Sequence, residues 1–345
     1  MINEALKYKC PNCDGELKYR PETRDFGCDY CGSSFNSIEN SLQQPTASNA
    51  ADTSDFKENT GLYSCRTCGA EVICDNETAA MFCYYCHEPI ILTGRLSGNF
   101  KPDKVLPFTV GKEKAVEKFK DWCKKRRFCP KEFRNGQVLE RMTGLYVPFW
   151  IANCNVDAYY SGIAKKVRTW TSGDYRYTET MEFDILRDAD IRIDGLPADG
   201  ASKVEDALME AIEPYNYDEM KPFSMSYLSG FYADKYDITK EEMYPRIAER
   251  AEKAADTVIR DSVVGYSSVN FSVQRRQVKD TEWEYALLPV WFMTYKYNGE
   301  LHSFAMNGQT GKISGTPPLD KKKLTLFSVA AAIAAAGLTV LIGLI

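Results

Sequence analysis

Cys10, Cys13, Cys28 and Cys31 form a C-x2-C pair, fourteen intervening residues and a second C-x2-C pair. Adding 55 to each position gives Cys65, Cys68, Cys83 and Cys86, with the same internal spacing. Tyr8 and Tyr63, Glu16 and Glu71, Leu17 and Val72, Thr23 and Thr78, and Tyr30 and Tyr85 match at that offset, which marks an internal duplication. Each C-x2-C turn aims two thiolates at one point, and a short hairpin brings the second turn opposite the first. The result is a tetrahedral four-sulfur site with no open position, so its metal is structural. A ribbon of this length cannot bury enough surface to fold alone. Metal binding supplies the missing folding free energy, on the order of 10 kcal/mol. The spacing predicts two zinc ribbons, at residues 1–35 and 61–92, and two Zn2+ per chain; iron also suits the geometry. Cys74 falls opposite Tyr19 and His87 opposite Gly32, so neither is an expected ligand.

The chain starts without a positively charged segment leading into an apolar run, so a reducing compartment is expected, where paired cysteines read as metal ligands before disulfides. Cys74, Cys123, Cys129 and Cys154 read as ordinary half-buried thiols. Residues 1–35 carry 5 Lys and Arg against 6 Asp and Glu, and residues 61–100 carry 2 against 4. Zinc with four thiolates adds further negative charge, so such ribbons repel phosphate and suit protein partners better than nucleic acid.

Residues 36–60 are small and polar and read as a flexible tether. Residues 93–320 read as a mixed α and β domain. Lys112 to Arg127 puts Ala115, Phe119, Trp122 and Cys123 on one helical face. A helix opened by Ser202 is expected at 202–212, and Thr239 with Glu242 forms a capping box for another at 239–262. Hairpins are expected about Ser172-Gly173-Asp174 and about Asn298-Gly299. "LYVPFWIANCNVDA" (145–158) and "ALLPVWFMTYKYNG" (286–299) align on Pro148/Pro289 and Trp150/Trp291, suggesting a pseudo-duplicated domain. Residues 101–134 carry 12 Lys and Arg against 5 Asp and Glu. That surface suits anionic lipid headgroups, nucleic acid or plain solvation.

Leu324 to Ile345 is an uncharged apolar run behind Lys321, Lys322 and Lys323. As a helix it would be about 33 Å long, enough to cross a bilayer core of about 30 Å. A C-terminal transmembrane helix at 324–345 is therefore expected, with residues 1–323 in the cytoplasm by the positive-inside rule. Ser328, Ala332 and Ala336 offer a small-residue face for homo-oligomer formation within the membrane. With only His87 and His302, and no phosphate-binding glycine motif, no catalytic constellation is legible.

"CPNCDGELKY", "CDYCG", "YSCRTCGAEV", "LTGRLSGNFKPDKVLPF", "YVPFW", "RTWTSGDYRYTET", "YALLPVWFMTYKYNG" and "FAMNGQTGKISG" together resemble a family of bacterial membrane proteins with a transcription-factor-IIB-type zinc ribbon. The likeness runs along nearly the whole chain. It departs at His87, where glycine is usual, and at Arg66, where proline is common. The resemblance implies partners of the phage-shock protein A and SPFH (flotillin-like) types. The fold class expected is α+β: two N-terminal four-cysteine zinc ribbons, a pseudo-duplicated mixed α/β domain and one C-terminal transmembrane helix. The function expected is a non-enzymatic adaptor at the cytoplasmic membrane, with a membrane-tethered nucleic-acid-binding regulator as the alternative.

Overall fold

The computed structural model describes residues 8–13, 15–36, 60–65, 69–75, 81–83, 85, 89–95, 101–130, 142–297 and 300–343. The chain divides into two compact units. The first is Met1–Pro148, Ala201–Lys235 and Leu287–Ile345; the second is Phe149–Gly200 and Tyr236–Ala286.

The first unit opens with a four-stranded antiparallel ribbon, β1 (Tyr8–Lys9), β2 (Glu16–Arg20), β3 (Asp25–Cys28) and β4 (Ser34–Phe35). The duplicated segment supplies β5 (Thr60–Ser64), β6 (Glu71–Asp75), β7 (Met81–Phe82) and β8 (Pro89–Arg95). The duplication holds at the level of register. Tyr8 pairs with Leu17 in the first copy and Tyr63 with Val72 in the second. The surroundings differ. The first copy is a sheet of its own, whereas β6 pairs with β13 (Tyr232–Asp234) and carries the second copy into a large mixed sheet. That sheet also takes in β9 (Lys104–Val105), β10 (Thr143–Ser172), β12 (Lys221–Pro222), β14 (Ser268–Tyr297), β15 (Glu300–Asn307) and β16 (Ile313–Gly315).

The core of the first unit is aromatic. Phe108 stacks on Phe231 with ring centroids 4.1 Å apart, and Trp291 donates its indole N–H to the Val110 carbonyl at 2.8 Å. Helix α1 (Lys112–Lys124) buries Ala115, Phe119 and Cys123, the face its sequence periodicity implies. It ends before Arg127. The Arg126 guanidinium lies over the Trp122 ring at 3.3 Å from the centroid, so part of the basic segment is spent on packing. Helix α2 is Asp206–Ile212, shorter than expected: Ser202 lies in a turn, and the N-cap is Glu205 without a side-chain cap bond.

In the second unit β10 continues into a long hairpin with β11 (Tyr175–Asp199), paired from Phe149↔Asp199 to Ser172↔Tyr175. Helix α3 (Lys240–Asp261) carries the expected Thr239–Glu242 capping box. Its Ile259, with Val263 just beyond its end, packs into a core of Ala158, Tyr160, Ala164, Ile185 and Phe271. Trp150 donates its indole N–H to the Ile238 carbonyl at 2.9 Å. Helix–strand–strand thus occurs twice, as α1–β10–β11 and as α3–β14–β15, with the helices exchanged. Phe119 of α1 packs edge-on against Phe304 of β15, and α3 packs on β11. The loop at Asn298 and Gly299 lies outside the described residues.

The expected transmembrane helix is corrected by the structure. Among the described residues no helix is long and apolar enough to cross a membrane. Helix α4 (Lys321–Gly343) takes the three lysines into its own first turn. Its start is fastened to protein: Lys323 Nζ donates to the Cys129 carbonyl at 3.2 Å, and the Phe327 ring packs against Phe128 and Arg127. The expectation of a single-pass membrane localisation falls with the span.

Candidate metal centre

The β2–β3 hairpin places the two cysteine turns of the first ribbon against each other. Arg20 holds it with two charge-assisted bonds to Asp25, Nε to Oδ1 at 2.9 Å and Nη2 to Oδ2 at 2.8 Å. The Arg20 guanidinium keeps the Asp25 carboxyl below its ordinary range. In the first turn the Cys10 N–H donates to Gly15 O at 2.7 Å and the Cys13 N–H to Cys10 O at 3.3 Å. In the second the Cys28 N–H donates to Ser33 O, and the Gly32 N–H to Cys28 O, both at 2.9 Å. Gly32 has φ +72°, the left-handed conformation that glycine adopts without strain. The Asn12 side chain donates to Ser33 Oγ at 2.9 Å and ties the two turns together.

The sulfurs of Cys10, Cys13, Cys28 and Cys31 all lie within 4.8 Å of one another. Cys10 to Cys31 and Cys13 to Cys28 are each 3.5 Å. A tetrahedral ion with metal–sulfur bonds of about 2.3 Å needs sulfurs about 3.8 Å apart, so the donor set fits a four-thiolate metal ion. Cys10 and Cys28 are buried, Cys13 is half-buried and Cys31 is exposed.

The thiols compete for charge. The Ser33 hydroxyl and backbone N–H hold the Cys31 thiol down to about 6. The Gly15 backbone N–H favours the Cys13 thiolate, but Cys31, burial, Cys28 and Cys10 together outweigh it and push that thiol up to about 12. A divalent cation at the centre would favour the thiolate form of all four sulfurs at once.

In the second copy Cys65 and Cys83 are buried. The Cys65 N–H donates to Ala70 O at 2.8 Å, the counterpart of Cys10 to Gly15, and the Gly69 N–H returns to Cys65 O at 2.7 Å. Cys68, Cys86 and His87 lie outside the described residues, as does the side chain of Cys74. Cys123, Cys129 and Cys154 are buried thiols outside the cluster.

Two features of the site were not legible from spacing. The first ribbon is packed against the 225–229 segment: Tyr19 and Phe26 close on the Tyr227 ring at 5.5 Å each, and Ser229 Oγ donates to Leu17 O at 2.5 Å. The alternation of Tyr19, Phe26 and Leu17 within short strands is the one signal that could have exposed that face. Tyr30 and Tyr85, equivalent by sequence, have opposite fates, 85% and 7% exposed.

Compared with known proteins, the chain is 38% identical over 319 residues to the Bacillus subtilis (strain 168) protein YdjG, described as uncharacterized, covering 92% of each chain. No family model matches the sequence, and no solved structure matches it.

Proposed function

The chain belongs to the family of the Bacillus subtilis protein YdjG, and we propose that it is a non-catalytic zinc-ribbon adaptor that recruits protein partners. The observation that carries this reading is the closed cluster of Cys10, Cys13, Cys28 and Cys31, which leaves a bound ion no position for water or substrate. These four residues hold one structural Zn2+, and Cys65, Cys68, Cys83 and Cys86 hold a second. The ribbon keeps one face for docking on its own chain through Tyr19 and Phe26, and turns Pro11, Asn12, Asp29 and Tyr30 to solvent. An exposed tyrosine beside an acidic residue on a metal-locked turn is a rigid anchor for a protein surface. Partners of the phage-shock protein A and SPFH types are the candidates that the sequence resemblance supplies.

The test compares the full chain with Tyr30→Ala and with Cys28→Ser/Cys31→Ser in affinity capture from nuclease-treated extract, with zinc counted in each. The expected result is that Tyr30→Ala keeps its zinc and loses the proteins captured by the full chain, and that the double variant loses both. Capture unchanged in both variants contradicts the proposal, as does capture that occurs in untreated extract and is lost on nuclease treatment.

A further inference from the structure

Strand β11 is bonded on one side only. It pairs with β10 without interruption from Cys154↔Ile193 to Ser172↔Tyr175, and among the described residues no strand lies on its other edge. The turn joining the strands is the two-residue Gly173-Asp174 loop, with Gly173 at φ +61°, as a tight hairpin requires. Near the turn β10 also loses its second neighbour: the last links are the Ser267 N–H to Lys165 O at 2.7 Å and the Val167 N–H to Ser267 Oγ at 3.0 Å. Beyond them the arm is two-stranded, and such a ribbon is marginal in water by itself.

Natural edges are blunted by proline, charged side chains and above all lysine, bulges or a covering element; the charges on residues 175–185 are Arg176, Glu179, Glu182 and Asp184. Residues 175–185, "YRYTETMEFDI", contain no proline or lysine, and the register shift in the hairpin lies far away at Ala152 and Cys154. Cover begins on one face at Phe183, whose ring meets Tyr266 at 5.5 Å, and at the buried Ile185, and continues at Arg187, whose Nε donates to Ser262 Oγ just past the end of α3 at 2.9 Å. The bare segment is rich in strand-forming residues, and Tyr175 is 72% exposed.

The segment is complementary to itself. We infer that residues 175–185 form an interface with a second copy of this chain, joined edge to edge about a two-fold axis at Thr180. In that antiparallel register Arg176 stands opposite the partner's Asp184, Tyr177 opposite the partner's Phe183, Tyr175 opposite the partner's Ile185 and Thr180 opposite itself. Arg176 and Asp184 are both exposed, and neither forms an ion pair among the described residues, so both are free to serve one another across the axis. Neighbouring registers are worse. Centring on Glu179 sets that carboxylate against itself, and centring on Met181 leaves Arg176 against the partner's Leu186. The axis keeps the odd-numbered side chains of both copies on one face, so the aromatic stripe of Tyr175, Tyr177 and Phe183 continues across the joint.

The test uses the full chain with single cysteines. The axis places two copies of residue 180 in contact, so Thr180→Cys forms an intermolecular disulfide under mild oxidation. Thr178→Cys, equally exposed but opposite the partner's Glu182, crosslinks about tenfold less. By sedimentation, Arg176→Asp weakens self-association about tenfold, and Arg176→Asp with Asp184→Arg restores it. A monomeric full chain at high micromolar concentration overturns the inference, as do equal crosslinking at 178 and 180 or failure of the charge exchange to restore association.

Discussion

The Tyr85 hydroxyl donates to Asp234 Oδ2 at 2.6 Å, and both side chains are buried. Tyr85 belongs to the second cysteine repeat and Asp234 to β13, which pairs with β6 of that repeat. The Tyr85 ring also meets Phe292 edge-on at 5.5 Å. The second ribbon is thus built into the sheet of the first unit. Tyr85→Phe keeps the ring and removes the donor from a buried carboxylate. A loss of about 1–3 kcal/mol is expected, read as a lower denaturant midpoint at unchanged slope. An unchanged midpoint refutes the bond's importance.

The first ribbon is held differently, through Tyr19, Phe26 and Tyr227. Tyr227→Ala removes the ring that both ribbon aromatics touch, while the four cysteines keep their own hairpin. Each aromatic pair is worth about 0.5–1.5 kcal/mol beyond its buried area. Faster hydrogen exchange at the Leu17 and Phe26 amides is expected, with metal content unchanged. Metal loss in this variant would mean that the cluster depends on docking.

Asp256 fastens α3 to the hairpin of the second unit. It accepts from Arg260 Nε at 2.7 Å and from the Tyr160 hydroxyl at 2.7 Å, and Arg276 lies 3.3 Å away. The bond from Arg260, then that from Tyr160 and the two positive charges, hold its carboxyl below the ordinary 3.8. A depressed folded value contributes stability that is complete above the unfolded value and lost as pH falls through the folded one. Stability measured from neutral pH downward should therefore erode below pH 3.8, and Asp256→Asn should be less stable at neutral pH with a shallower acid loss. Parallel acid profiles for the two proteins would contradict this.

What the sequence revealed was local chemistry repeated at fixed spacing. The cysteine pairs of the first ribbon, the Thr239–Glu242 box, the glycine turn at 173 and the buried face of α1 each depend on short-range spacing, and each is found where the pattern put it. What stayed hidden depends on partners far along the chain. Tyr30 and Tyr85 share a motif position, and only the presence of Asp234 and Phe292 beside the second decides which is buried. The apolar run after Lys323 reads as a span because hydropathy carries no record of packing against distant residues. Phe128 and Arg127 meet Phe327 and use up the start of that run.

Metal analysis of the purified full chain beside Cys10→Ser/Cys13→Ser, with cobalt substitution to read the ligand field, tests the zinc-ribbon proposal most directly. The full chain should carry zinc, the variant should carry about one equivalent less, and cobalt should give the spectrum of a tetrahedral tetrathiolate site that the variant loses in part. A full chain that binds no metal, or a variant with undiminished metal, would contradict a closed site at Cys10, Cys13, Cys28 and Cys31.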